Sequence, residues 1–255
     1  MIKVENISFS YKKHKILDEI SLNVEKGELC SVIGINGSGK STLIRLLGRT
    51  LSPSSGSIEV DGTSSVLFSP KDYAKKVSRL PQSRDIPAVS AADFIVGGRY
   101  PHLGFSGRLS EDDLTALDKA VKLTYTEHLL HKPLRELSGG ERQRVYFAMI
   151  LAQDTPYVLL DEPATYLDAS GRLELYRLIN MLKKDGKGVL SVSHDLSFAL
   201  TSSDKLLLLD KGKAAFYGNP NDKDPIPSIE AVFGVKCIKC TADSETEYFF
   251  KEFEG

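Results

Sequence analysis

Hydrophobic positions change period several times along the chain, and each change predicts a new element. Ile2, Val4 and Ile7 lead into Phe9 and Tyr11, and Ile16, Ile20, Leu22 and Val24 follow in approximate alternation, the pattern of antiparallel strands with one buried face. After the turn Lys26-Gly27-Glu28, Leu29 to Ile33 is a short apolar strand running into the glycine-rich stretch Gly34-Ile35-Asn36-Gly37-Ser38-Gly39-Lys40-Ser41, and Thr42 to Leu47 reads as a helix. Ser52-Pro53-Ser54-Ser55-Gly56-Ser57 predicts another turn, before a strand at Ile58 to Val60. From about Arg84 to Gln153 the pattern is helical. Leu114, Leu117, Val121 and Tyr125 share roughly one helical face behind the N-cap and first-turn acids Ser110-Glu111-Asp112-Asp113, and Val145 to Ala152, the longest apolar run, reads as a buried helix.

Beyond that stretch, strand and helix alternate again. Tyr157 to Leu160 is a buried strand, Leu175, Leu178, Ile179 and Leu182 follow helical spacing, and Gly188 to Ser193 is the next strand. Leu206 to Leu209, Lys211-Gly212 and Ala214 to Tyr217 form a closing hairpin. Interleaved strands and helices imply an α/β fold with a mostly parallel sheet, behind an N-terminal antiparallel β-subdomain. The expected division is one domain over 1–255: 1–83 and 154–218 as β-subdomain plus core, 84–153 as an inserted helical subdomain, and 219–255 as a C-terminal helix and strands.

Composition narrows the class without choosing the chemistry. The chain has 255 residues, 41% hydrophobic and 26% charged, the proportions of an ordinary globular protein. Its 33 basic and 34 acidic side chains leave a net charge of −1, so the basic footprint of a nucleic-acid binder is absent and no nucleic-acid partner is expected. No run is long enough to cross a bilayer as a helix, and Met1-Ile2-Lys3-Val4-Glu5-Asn6 lacks the apolar core of an export signal. Three cysteines do not make a disulfide scaffold, which fits a reducing compartment.

The glycine-rich stretch carries the first chemistry. Strand, loop and helix in this order make a phosphate-binding loop, in which backbone N–H groups at a helix N-terminus surround phosphate oxygens. Gly34, Asn36, Gly37, Ser38 and Gly39 supply the cradle, Lys40 reaches the β- and γ-phosphates, and Ser41, with Thr42 beside it, can ligate Mg²⁺. ATP and Mg²⁺ are therefore the expected ligands. The strand Tyr157-Val158-Leu159-Leu160 ends in Asp161-Glu162, two acids that are costly at a buried strand end unless a cation meets them. Asp161 would support the metal, and Glu162 would orient or deprotonate the attacking water.

Leu137-Ser138-Gly139-Gly140-Glu141-Arg142-Gln143 is a second helix start with exposed N–H groups, capped by Ser138, and a simple P-loop enzyme has no need of it. The run closely resembles the signature of ATP-binding cassette (ABC) ATPases, usually written LSGGQ, with Glu141 in the fifth place. The resemblance spans roughly residues 2 to 218 and implies a P-loop NTPase fold with a RecA-like core and a helical signature subdomain. It also implies further roles. Tyr11 matches the aromatic residue that stacks on adenine, and Gln82 the glutamine that contacts Mg²⁺ and the attacking water. Asp168, in Thr165-Tyr166-Leu167-Asp168, matches the loop that crosses to a partner, and His194 the switch histidine that touches the γ-phosphate. His14, His102, His128 and His131 match nothing and read as surface or packing residues.

The family's mechanism implies two half-sites: Tyr11, Lys40, Ser41, Gln82, Asp161, Glu162 and His194 of one chain face Ser138, Gly139 and Gly140 of another across ATP. The implied partners are a second cassette subunit, as a head-to-tail homodimer, integral membrane permease subunits, and indirectly an extracytoplasmic substrate-binding protein. The implied location is the cytoplasmic face of a bacterial or archaeal membrane. Gly98-Arg99-Tyr100-Pro101-His102-Leu103-Gly104, Gly107-Arg108-Leu109-Ser110 and the Ile229 to Gly234 stretch resemble importers of iron-siderophore complexes, haem and cobalamin, with Arg99 and His102 expected on the permease-facing surface. The alternatives are another ABC transporter type, a soluble cassette protein acting on ribosomes or DNA, and a nucleotide-sensing module without turnover. Cys237-Ile238-Lys239-Cys240 supplies two soft ligands where structural zinc wants four, and a strand carrying two small side chains is the reading preferred over a redox or metal site.

Overall fold

A computed structural model describes residues 1–80, 86–104, 107–165, 167–242 and 245–252. The chain opens with the antiparallel pair β1 (Ile2–Tyr11) and β2 (His14–Val24), whose alternating apolar side chains face inward. β3 (Leu29–Gly34) is buried along its whole length, as an interior strand of a parallel sheet should be, and leads into α1 (Lys40–Leu47). β4 (Ser55–Val60) returns to pair with β1, and the short β5 (Thr63–Ser64) extends that sheet, giving the order β2-β1-β4-β5. α2 (Pro70–Ala74) then leads to β6 (Val77–Leu80).

The helical stretch holds α3 (Ala91–Val96), α4 (Glu111–Leu123) and α5 (Gly139–Gln153). Then come β7 (Tyr157–Asp161), α6 (Ala169–Lys184), β8 (Gly188–Val192), α7 (Leu196–Ser202), β9 (Lys205–Asp210) and β10 (Lys213–Gly218). α8 (Ile226–Phe233) and the hairpin β11 (Val235–Ala242) and β12 (Glu245–Glu252) complete the described chain. The main sheet has the order β10-β9-β3-β8-β7-β6; its strands run parallel except β10, which turns back against β9.

Burial explains this layering. Leu43 and Leu47 of α1 share one core with Ile7, Ile20 and Val60 of the antiparallel sheet and with Val32, Leu159 and Leu190 of the parallel sheet, so α1 is clamped between the two. On the opposite face of the parallel sheet, Leu175, Ile179 and Leu182 of α6 pack on Leu160 and Val189 together with Tyr146, Phe147 and Ile150 of α5. The other flank of α5 (Val145, Ala148 and Ala152) packs with Ile95 of α3 and Ala120 of α4. One helix therefore belongs to both the sheet's core and the helical lobe.

Three sequence expectations meet a different outcome. α4 stops at Leu123, and Tyr125 adopts a left-handed conformation and is 71% exposed, so it is not on the buried face. Leu114 is exposed as well; Leu117, Ala120 and Val121 make the contact instead. Arg99 is not a surface residue: it is 6% exposed and riveted inside the lobe, where Nε and Nη2 donate to Asp113 Oδ1 at 2.8 and 2.7 Å and Nη1 donates to the Ala152 carbonyl at 2.8 Å.

Candidate functional site

The phosphate loop is built by its glycines. At Gly34 (φ 151°) a Cβ would stand 2.3 Å from the Leu209 carbonyl oxygen, and at Gly39 (φ 107°) it would stand 2.6 Å from Leu17 Cδ2. Both torsions and both spaces suit glycine alone. α1 starts at Lys40 with Gly39 as its N-cap and no side-chain cap, so its first N–H groups are open to an anion at the positive end of the helix. Ser38 Oγ is buried at the centre of the loop without a hydrogen-bond partner among the described residues, the mark of a site shaped for a polar ligand. Asn36 lies exposed at the tip, and Thr42 follows Ser41 half-buried in the first turn of α1.

Lys40 folds back over this loop. Its ammonium donates to the carbonyls of Gly34 at 2.7 Å and Ile35 at 2.9 Å. Burial lowers its pKa, opposed by the charges of Glu162 and Asp161. Asp161 ends β7, and its carboxylate accepts from the Ser41 hydroxyl at 3.3 Å. Burial raises the Asp161 pKa, and the neighbouring Glu162 raises it further. A hydroxyl and a desolvated carboxylate meeting at the phosphate loop form an oxygen donor set suited to a hard divalent cation. Glu162 follows in a left-handed backbone (φ 49°), and its Oε1 lies 2.8 Å from His194 Nε2 just beyond β8. Tyr11 closes the other side: it is 41% exposed, stands edge-on to Phe9 and accepts from Arg45 of α1 at 3.2 Å.

The remaining sequence candidates gather elsewhere. Ser138 caps α5 in a reciprocal box: its Oγ accepts from the Glu141 N–H at 3.3 Å, and Glu141 Oε2 accepts from the Ser138 N–H at 2.9 Å. Those bonds lower the Glu141 pKa, so its carboxylate serves its own helix start. A Glu in the fifth place of the signature fills this capping position as a Gln would. Asp168 similarly caps α6, accepting from the Gly171 N–H at 2.8 Å, and that bond heads the causes of its lowered pKa. Ser138, Gly140, Glu141 and Asp168 line one open cavity of about 790 Å³, while Glu162 and His194 line another of about 250 Å³. Gly139 is the first residue of α5, beside them. Gln82 lies outside the described residues.

Sequence reasoning passed over Gln143. It lies one turn before Tyr146 and Phe147 and two turns before Ile150, in register with their apolar stripe, and a polar residue at such a position was the available signal. Cys237 and Cys240 both lie on β11, where a spacing of three puts them on opposite faces of the strand and about 10 Å apart, beyond disulfide reach.

A mostly parallel sheet with a glycine loop between β3 and α1, and acids at the end of β7, defines a P-loop nucleotide hydrolase. The family profile described as ABC transporter matches residues 17–165. The petrobactin import ATP-binding protein FpuC of Bacillus anthracis is 37% identical over 98% of this chain and 92% of its own. The ferric enterobactin transport ATP-binding protein FepC of Escherichia coli (strain K12) is 33% identical over 93% of this chain and 88% of its own. An ABC transporter ascribed to the metal-chelate type, solved in an inward-facing conformation, superposes with a TM-score of 0.84 at 25% identity, covering 99% of this chain and 98% of that one. The chain belongs to the ABC transporter family and is an ATP-hydrolysing subunit of it. Among the described residues, no helix is long and apolar enough to cross a membrane.

Proposed function

We propose that the chain binds ATP between its own phosphate loop and the signature segment of a second copy facing it head to tail, and that hydrolysis powers import of a metal chelate through separate permease subunits. The observation that carries the paired arrangement is the parting of the site residues into two sets: Ser41 meets Asp161, Glu162 meets His194 and Lys40 feels the charge of both acids, whereas Ser138, Gly140, Glu141 and Asp168 line another cavity. A chain with two half-sites facing different ways uses both when a twofold partner completes each. The relatives named for siderophore import support the cargo class, as does a likeness to a metal-chelate type transporter along nearly the whole chain. The expected setting is the cytoplasmic face of a membrane, with an extracytoplasmic binding protein delivering the chelate. On this reading 84–153 acts as the helical signature subdomain on a core formed by 1–83 and 154–218, with 219–255 as a C-terminal appendage.

Each residue then has a stated task. Tyr11 offers its exposed ring to the adenine base. The open N–H groups at the start of α1 take the phosphates, and Ser38 Oγ gains the partner it lacks. Lys40 exchanges two backbone carbonyls for phosphate oxygens, an exchange its partly desolvated ammonium favours. Ser41 and Asp161, with Gln82, would hold Mg²⁺, which when bound neutralises charge on the β- and γ-phosphates. Glu162 orients the attacking water and accepts its proton, and His194, already on the Glu162 carboxylate, holds that acid in place and reaches the γ-phosphate. The partner's Ser138, Gly139 and Gly140 close over the γ-phosphate from the opposite side.

Glu162→Gln keeps the side chain's size and removes the base. In membrane vesicles carrying the assembled transporter, this substitution should retain ATP binding, cut hydrolysis at least a hundredfold and abolish uptake of a radiolabelled ferric chelate. Turnover like the parent's would show that Glu162 is misassigned. ATP-driven uptake of a different solute, with none of the chelate, would overturn the cargo class alone.

A further inference from the structure

Gln143 sits on α5 one turn after the signature capping box and is 7% exposed. Its Nε2 donates to the Pro163 carbonyl at 2.7 Å, a bond buried from water. Pro163 directly follows Glu162, whose backbone is held in the left-handed region at φ 49°. A non-glycine residue in that region persists when its surroundings over-determine it, and a proline behind it narrows its freedom further. Among the described residues, several restraints converge there, and three of them bear on the backbone. β7 fixes the chain up to Asp161 through its ladder with β8, Thr165 N–H donates to the Glu162 carbonyl at 3.2 Å, and Gln143 holds the next carbonyl along. Only the last comes from the helix that carries Ser138.

We propose that Gln143 is a positioning residue that ties the Glu162 loop to the signature helix, so that the seating of Ser138 on one ATP sets the placement of the acid that acts on the other. This rests on the roles given above to Glu162 and Ser138. The geometry suits transmission. α5 is one continuous helix packed on both flanks, while Glu162–Thr165 is a turn beyond the end of β7. A displacement of the signature end of α5 thus reaches the Pro163 peptide through one short, desolvated hydrogen bond.

A matched comparison is built into the same helix. At its far end Gln153 Nε2 donates to the Ala74 carbonyl at 2.7 Å, an amide-to-carbonyl bond of equal length that leads away from Glu162. The test measures ATP turnover, thermal midpoint and ATP-dependent dimerisation for Gln143→Met and Gln153→Met, each a nearly isosteric loss of the donor. The proposal expects Gln143→Met to lower kcat about tenfold or more with KM for ATP within about twofold, and to dimerise with ATP like the parent. Gln153→Met should lose a similar amount of thermal stability yet keep kcat within about twofold. Gln143→Asn, whose shorter amide cannot span the same gap, should behave as Gln143→Met. Equal effects of Gln143→Met and Gln153→Met on kcat, or parent-like kcat in Gln143→Met, would overturn the proposal. If Glu162→Gln is inactive while Gln143→Met is not impaired, this inference fails and the reading of Glu162 stands; if Glu162→Gln turns over normally, the reading beneath it fails.

Discussion

Gly39 shows how narrowly the phosphate loop constrains its residues. Its φ of 107° and the 2.6 Å separation a methyl would have from Leu17 Cδ2, with the Ile16 carbonyl at 3.0 Å, leave no room for a side chain. Gly39→Ala should therefore destabilise the fold by about 1–3 kcal/mol and weaken nucleotide binding, because the strain falls on the N-terminus of α1. Thermal denaturation and nucleotide titration read both effects; an unchanged midpoint with unchanged affinity would refute the steric reading. Such residues were legible because loop chemistry demands particular types at fixed spacing, and Lys40, Ser41, Asp161, Glu162 and His194 do fall into one connected cluster. Glu141 was legible only as part of a signature. Its capping bond to Ser138 depends on side-chain geometry that spacing suggests without fixing. Gln143 escaped notice because its partner is a backbone carbonyl 20 residues away, and no sequence pattern records which carbonyl a buried amide will meet.

Among the elements, α4 carries the lesson about charge. Ser110 caps it, and the Asp113 carboxylate accepts from the Ser110 N–H at 2.8 Å and from the buried Arg99 guanidinium. The Ser110 bonds foremost, then Arg99, hold Asp113 at about 2, below its ordinary 3.8. A carboxylate with a depressed folded pKa adds stability that is fully present above its unfolded value near 4 and is lost as the pH falls through the folded value. Asp113→Asn should accordingly be less stable than the parent at pH 7, and the gap should close as the pH is lowered from 4 toward 2. Urea midpoints across that range check it, and a gap independent of pH would contradict it. The cap and its acids were visible in Ser110-Glu111-Asp112-Asp113, and the structure adds the reciprocal box that Ser110 and Asp113 form. The helix's apolar face was less so, because Leu114 and Tyr125 satisfy the spacing but point to solvent. Arg99 was expected at a surface because its segment resembles a receiving region, and such a likeness does not distinguish a solvent-facing arginine from one whose charge is matched inside.

For the molecule as a whole, interleaved strand and helix periods were enough to foresee a parallel sheet behind an antiparallel one. They could not supply the strand order or show that α5 is shared between the sheet's core and the helical lobe. Those features depend on contacts between distant segments. They matter because α5, capped by Ser138, bonds through Gln143 to the Pro163 carbonyl beside Glu162, so one helix links residues that line two different cavities.

The central claim, that every ATP is served by two chains, can be tested by complementation. Lys40→Ala disables the phosphate loop and leaves the signature intact, whereas Ser138→Arg does the reverse. Each purified variant alone should hydrolyse ATP at background level. Mixed in equal amounts, half of the dimers contain one intact composite site, so activity should rise above background, to a quarter of the parent's at most and to less where the disabled signature of the Ser138→Arg chain no longer sets its own Glu162. A mixture as inactive as its components, or parent-like turnover by either variant alone, would contradict the shared site.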